Sequence, residues 1–164
     1  MDWFDSDYYH ILYKHRDYNE ARNFIDNIIK YLNIKKGSKI LDLACGIGRH
    51  SIYLEKIGFK VVGTDKSLNN INKAKANQNQ SLSFLQMEMI EDTNNRYDGI
   101  FNLFTSFGYV NHDYNLKTIK NIERQLKDDG IIVVDFMNTL FVKNNLVIEE
   151  TKVIDDLIFK IKRR

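Results

Sequence analysis

The run Leu41-Asp42-Leu43-Ala44-Cys45-Gly46-Ile47-Gly48-Arg49-His50 constrains this 164-residue chain more than any other segment. Lys39 to Leu43 is a short apolar stretch of strand length that stops at a glycine-bearing turn, and a helical pattern then runs from about Gly48 to Ile57, where Gly58 ends it. Lys60-Val61-Val62-Gly63-Thr64 follows as a second strand of β-branched residues ending at Asp65, and Ser67 caps a helix through about Ala76. Strand, helix and strand in that order imply a parallel pair with a right-handed crossover.

The flanking sequence extends the same pattern. Asp17-x-x-Glu20 is an aspartate-headed capping box, and Ala21, Phe24, Ile25, Ile28, Ile29 and Leu32 recur at helical spacing behind it until Gly37. Leu82 to Gln86 reads as a third strand and Tyr97 to Leu103 as a fourth. Asp113 is expected to cap a helix whose Leu116, Ile119, Ile122 and Leu126 share a side, with Gly130 ending it. Ile131 to Phe136, apolar on both faces, reads as a central fifth strand covered by helices. The fold class is therefore α/β, a doubly wound, mainly parallel sheet. Leu146 to Ile154 and Leu157 to Ile161 flank Asp155-Asp156 as an antiparallel C-terminal hairpin. Three segments result: 1–36, an N-terminal segment with an amphipathic helix; 37–138, the core; and 139–164, the hairpin extension.

Composition narrows the function classes. A net charge of +2 from 24 basic and 22 acidic residues leaves no footprint for nucleic acid or an anionic membrane, and Lys160 to Arg164 reads as a solvated strand end. Cys45 is the only cysteine, so neither an internal disulfide nor a thiolate metal cluster is expected, and no metal site is. Without a signal-like N-terminus or an apolar run of roughly 20 residues, the expected location is the cytoplasm.

Ligands of doubly wound sheets sit outside the carboxyl ends of the strands. Gly46 and Gly48 permit close backbone approach and aim a helix start at a ligand. The Asp42 carboxylate disfavours a pyrophosphate there and suits a ligand that carries positive charge. Asp65, about 20 residues beyond the glycines, suits a ribose.

Asp42 to Ser51, together with Gly63-Thr64-Asp65-Lys66-Ser67, resembles the first two motifs of class I (Rossmann-like) methyltransferases that use S-adenosylmethionine. Gln86-Met87-Glu88-Met89 resembles their segment after strand three, where an acid and an apolar residue flank the adenine. Tyr97 to Tyr109 resembles the strand-four motif of a bacterial subgroup whose substrates are mostly unassigned. The resemblance covers about residues 8 to 138. It implies S-adenosylmethionine as cofactor, held by Asp42, Gly46, Gly48, Asp65, Lys66, Glu88, Met89, Asn102 and Phe104, with Arg16 pairing the methionine carboxylate. It places Asn102, Thr105, Ser106 and Tyr109 on the acceptor side, and Tyr8, Tyr9, Tyr13 and His15 in a lid. The family usually has Asp where Glu88 stands, and is usually longer, so the chain reads as a fragment or a variant with replaced last strands.

The expected reaction is methyl transfer to an acceptor, most simply a small molecule. His50 and His112 are poor candidates for a general base, and Cys45 reads as packing. Two rivals stay open: an NAD(P)- or flavin-dependent oxidoreductase, disfavoured by Ser51 where its fingerprint wants Gly or Ala, and a truncated, non-catalytic cofactor-binding domain. A dimer through the C-terminal strands is a further expectation.

Overall fold

A computed structural model describes residues 3–163; Met1, Asp2 and Arg164, the outermost residues of the N-terminal segment and of the basic tail, lie outside them. Contacts divide the chain differently from the three expected segments. Arg16–Phe136 form one unit, and the residues up to His15 join those from Met137 onward in another.

In the first unit, α2 (Tyr18–Tyr31; α1 belongs to the other unit) starts at Asp17, whose carboxylate accepts the backbone N–H groups of Asn19 and Glu20, both at 2.9 Å. This answers two of the unpaired donors of the first turn. The sheet then follows in chain order: β1 (Lys39–Leu43), α3 (Arg49–Lys56), β2 (Lys60–Asp65), α4 (Leu68–Ala74), β3 (Leu82–Gln86), β4 (Tyr97–Asn102), α5 (His112–Gln125) and β5 (Leu126–Val134). Strand order is β3-β2-β1-β4-β5, with every neighbour parallel. The pairs Leu43 with Thr64, Asp65 with Gln86, and Asn102 with Val134 bring the carboxyl ends together along one edge.

β1 and β4 are the buried centre, with Ile40, Leu41, Ile100 and Phe101 fully inaccessible. Each contributes about 1.5–3 kcal/mol of apolar burial. The expectation of a central fifth strand is corrected: β5 is the sheet's edge, and Ile132 and Val134 are 42% and 39% exposed. Its apolar run signalled strand but not position. Gly130 likewise lies inside β5 rather than ending a helix, and the register jumps there, with Tyr97 opposite Leu126 but Gly99 opposite Ile131.

α5 also differs from its expected form. Its cap is Asn111, which accepts the Tyr114 N–H at 2.9 Å, not Asp113. Leu116 and Ile119 are 48% and 45% exposed, whereas Thr118, Asn121, Ile122 and Gln125 are buried. The buried stripe is mostly polar because polar groups of the loop after β3 lie beneath it.

In the second unit, α1 (Asp7–Leu12) is capped by Ser6, and α6 (Thr139–Asn145) by Asn138; neither helix is evident from the sequence periodicity. β6 (Glu149–Ile154) and β7 (Leu157–Lys162) form a separate antiparallel hairpin turning at Asp155, where φ is +53°. Trp3, Tyr8, Leu12 and Tyr13 line a groove along β7. Tyr9 gathers Trp3, Phe4, His10 and Tyr13 in edge and tilted ring contacts. The N-terminal aromatics thus form a packed cluster with the hairpin of their own unit.

Candidate functional site

The turn after β1 is built from alternate left-handed residues: Ala44 at φ +63°, Gly46 at +57° and Gly48 at +80°. The two glycines serve different ends. A side chain begun at Gly46 would meet nothing within 4 Å, so that face is open to a ligand. One begun at Gly48 would lie 2.6 Å from the Phe84 ring, and one at Gly63 would lie 2.7 Å from it. Gly48 is therefore required by close packing between α3 and β3 rather than by ligand approach.

Asp65 ties this turn to the end of β2. Its Oδ2 accepts the Gly46 N–H at 2.8 Å and its Oδ1 the Ser67 N–H at 2.9 Å. The Asn70 side chain bonds to the same carboxylate, and of that group's roughly four acceptor sites at least one is left for a hydroxyl. Burial raises the Asp65 pKa, against the hydrogen bonds from Ser67 and Gly46. Lys66 is exposed beside it, its carbonyl accepting from the Gln86 amide at 3.2 Å.

Asp42 supports the turn from beneath. It is 1% exposed, and its Oδ2 accepts from Ser51 Oγ at 2.5 Å. Burial raises its pKa to about 6, opposed by the Ser51 hydrogen bond. This carboxylate is sealed beneath the turn and joins β1 to α3.

Beyond β3, Glu88 is exposed, and its Oε2 accepts from the Tyr114 hydroxyl at 2.6 Å. Met89 packs against Leu41, Leu43, Val62, Tyr97, Ile100 and Ile122, and its sulfur lies 3.5 Å from Asn102 Nδ2. Asn102 is fully buried; its Nδ2 donates to the Leu43 carbonyl at 2.8 Å and fastens β4 to β1, while its Oδ1 has no hydrogen-bond partner among the described residues.

After β4, Phe104 and Thr105 both adopt left-handed backbone, at φ +62° and +53°. Two such residues in sequence store strain of about 1–3 kcal/mol each. The Phe104 N–H donates to Asp135 Oδ2 at 2.9 Å, and Ser106 Oγ donates to the Leu103 carbonyl at 3.1 Å. Tyr109 is 59% exposed. The guanidinium carbons of Arg16 and Arg49 lie 4.8 and 5.6 Å from the Phe104 ring centroid. Both arginines share Glu20, at 2.8 and 3.0 Å. Two cations and one carboxylate leave a net positive charge here, suited to a carboxylate ligand.

His50 is 5% exposed and packs on Phe24. Burial, reinforced by Arg49, lowers its pKa to about 4, so it stays neutral at physiological pH. The spacing of motifs gave no sign of Phe84, Tyr114 or Asn121. The polar residues at 114, 118, 121 and 125 do recur on one helical face, and that was the available signal.

Residues 34–157 match the family described as a methyltransferase domain, and the chain belongs to that family. It is 32% identical over 132 residues to YqeM of Bacillus subtilis, whose name assigns it provisionally to the methyltransferases; the match covers 77% of this chain and 51% of that protein. The glycine/sarcosine N-methyltransferase of Halorhodospira halochloris is 30% identical over 127 residues, covering 73% of this chain and 47% of the enzyme. Among solved structures, an S-adenosylmethionine-dependent methyltransferase from Clostridium acetobutylicum shares the fold at a TM-score of 0.75 and 21% identity, covering 94% of this chain and 65% of its own. The chain spans about half the length of the curated relatives it matches. The family sets aside the oxidoreductase reading of the glycine turn. No helix among the described residues is long and apolar enough to cross a membrane.

Proposed function

We propose that this chain binds S-adenosylmethionine at the carboxyl ends of β1 to β4 and forms the cofactor half of a methyltransferase for a small acceptor. The observation that carries this is the convergence of the open Gly46 turn with Asp65, whose carboxylate already holds that turn and has acceptor capacity left for a ribose hydroxyl. The other groups fit the rest of the cofactor. Glu88 offers an acceptor to an exocyclic amino group, and Arg16 with Arg49 offers paired donors to a carboxylate.

Bound there, the cofactor supplies a methyl group made electrophilic by its sulfonium. The protein's part is to hold an acceptor in line and exclude water. The strained Phe104-Thr105 turn, with Ser106 and Tyr109, is the surface assigned to the acceptor. An amine that arrives neutral needs no base, which agrees with the sealed, neutral His50, and amine acceptors are named among the relatives, glycine and sarcosine included. A nucleic acid acceptor has no support in the balanced charge of the chain.

Calorimetric titration with S-adenosylhomocysteine tests the reading. Asp65→Ala should weaken binding at least about tenfold, or 1.4 kcal/mol, and unchanged affinity would remove Asp65 from the site.

A further inference from the structure

The loop after β3 is held by side chains of α5 in addition to a backbone bond of its own, from the Glu91 N–H to the Glu88 carbonyl at 3.0 Å. Tyr114, Thr118, Asn121 and Gln125 lie at helical spacing on one face of α5. Asn121 Nδ2 donates to the carbonyls of Met89 and Glu91 at 2.9 and 2.7 Å, and Gln125 Oε1 accepts the Thr93 N–H at 2.9 Å. Glu91 closes the loop on itself by accepting the Glu88 N–H at 2.6 Å. The backbone of Glu88 is thereby fixed, and its Oε2 is fixed by the Tyr114 hydroxyl.

We propose that Tyr114 is a positioning residue that sets Glu88 to read the 6-amino group of adenine, making the site select adenine over a 6-oxo purine. The proposal rests on the cofactor assignment above. An ionised carboxylate only accepts hydrogen bonds, so it rewards an amino group and repels a carbonyl oxygen. Glutamate carries one more rotatable bond than the aspartate usual at this place in the methyltransferases this chain resembles. Tethering one of its oxygens removes freedom that the ligand would otherwise have to freeze, and leaves Oε1 to face the purine. Burial and the neighbouring Glu88 carboxylate keep the Tyr114 phenol protonated, hence a constant donor. A hydroxyl that merely stitched α5 to the loop would affect all purine ligands alike.

Calorimetry with S-adenosylhomocysteine and its inosine analogue separates these roles. The wild-type chain should prefer the adenosine ligand at least about tenfold, because a 6-oxo group would set a carbonyl oxygen against the Glu88 carboxylate in place of a donor. Tyr114→Phe should cut that preference at least about threefold while changing affinity for the inosine analogue less than twofold, the loss of one charge-assisted hydrogen bond. In a Glu88→Asp background, where the shorter carboxylate no longer reaches the phenol, Tyr114→Phe should leave the preference unchanged. Equal losses for both ligands, an undiminished preference in Tyr114→Phe, or an equal effect in the Glu88→Asp background each overturn the proposal. A wild-type chain that binds neither ligand overturns the cofactor assignment, and this inference with it.

Discussion

The two sides of the site are held by different means. Around β1 and β2 a turn of left-handed backbone is held at close quarters by the strand ends and the helix that follows: the Gly46 N–H donates to the Asp65 side chain, Ser51 is bridged to Asp42, and Gly48 lies against Phe84. Around β3 and α5 the loop carrying Glu88 hangs from side chains 26 to 32 residues away, at Tyr114, Asn121 and Gln125. A turn fixed by backbone geometry tolerates few residue types at few positions. A loop fixed by side-chain amides and a phenol can be retuned one hydrogen bond at a time.

The sharpest way to break the first side is Gly48→Val. The new side chain would begin 2.6 Å from the Phe84 ring at a φ of +80°. Overpacking and left-handed strain together should cost at least about 3 kcal/mol in urea unfolding. A loss under about 1 kcal/mol would mean that α3 and β3 can part without harm.

Asp42 tests the same side through pH. Its folded pKa of about 6 lies above the ordinary aspartate value of 3.8, so between those values the folded state binds more protons than the unfolded one. Stability from this group is therefore fully present below about pH 4 and declines as pH rises to about 6, by on the order of 3 kcal/mol. Asp42→Asn should remove that decline, so the variant gains on the wild type between pH 4 and 7. Parallel stability curves for the two proteins would show that the carboxylate is not perturbed.

On the second side, Asn121→Leu keeps volume but leaves the Met89 and Glu91 carbonyls without their donor. The expected loss is about 1–3 kcal/mol, with faster amide exchange confined to the loop after β3. Uniform exchange across the sheet would instead mean that the loop is not a separately held region.

This division also explains what could be read from the chain directly. The βαβ start, the strand ends and the hairpin follow from local signals: glycine spacing, β-branched runs and turn residues. The place of Asp65 at the end of β2, beside the glycine turn, was legible because it is set relative to the glycines by one crossover. Tyr114 and Asn121 were missed because their partners are distant in sequence: the helical recurrence of polar residues marks a shared face of α5 but not what that face meets. Asn102 and Asp42 were placed at the correct strand ends, but their burial was not legible, since a strand end has both a buried and an open side. The same limit made β5 central on paper: an apolar run states how much it could bury, not what stands beside it.

The Phe84 ring, wedged between Gly48 and Gly63, bears on the history of substitutions this chain can accept. Neither glycine can gain a methyl group while that ring is present, so changes at three sequence-distant positions are ordered and the ring must shrink first. Gly63, whose φ is not in the left-handed region, would then still meet the Cys45 Sγ, 2.9 Å from a new Cβ, whereas Gly48 at +80° would remain strained by its backbone. A single aromatic side chain, together with the Cys45 thiol, thus makes one glycine conditional on its neighbours and leaves the other fixed by the turn itself.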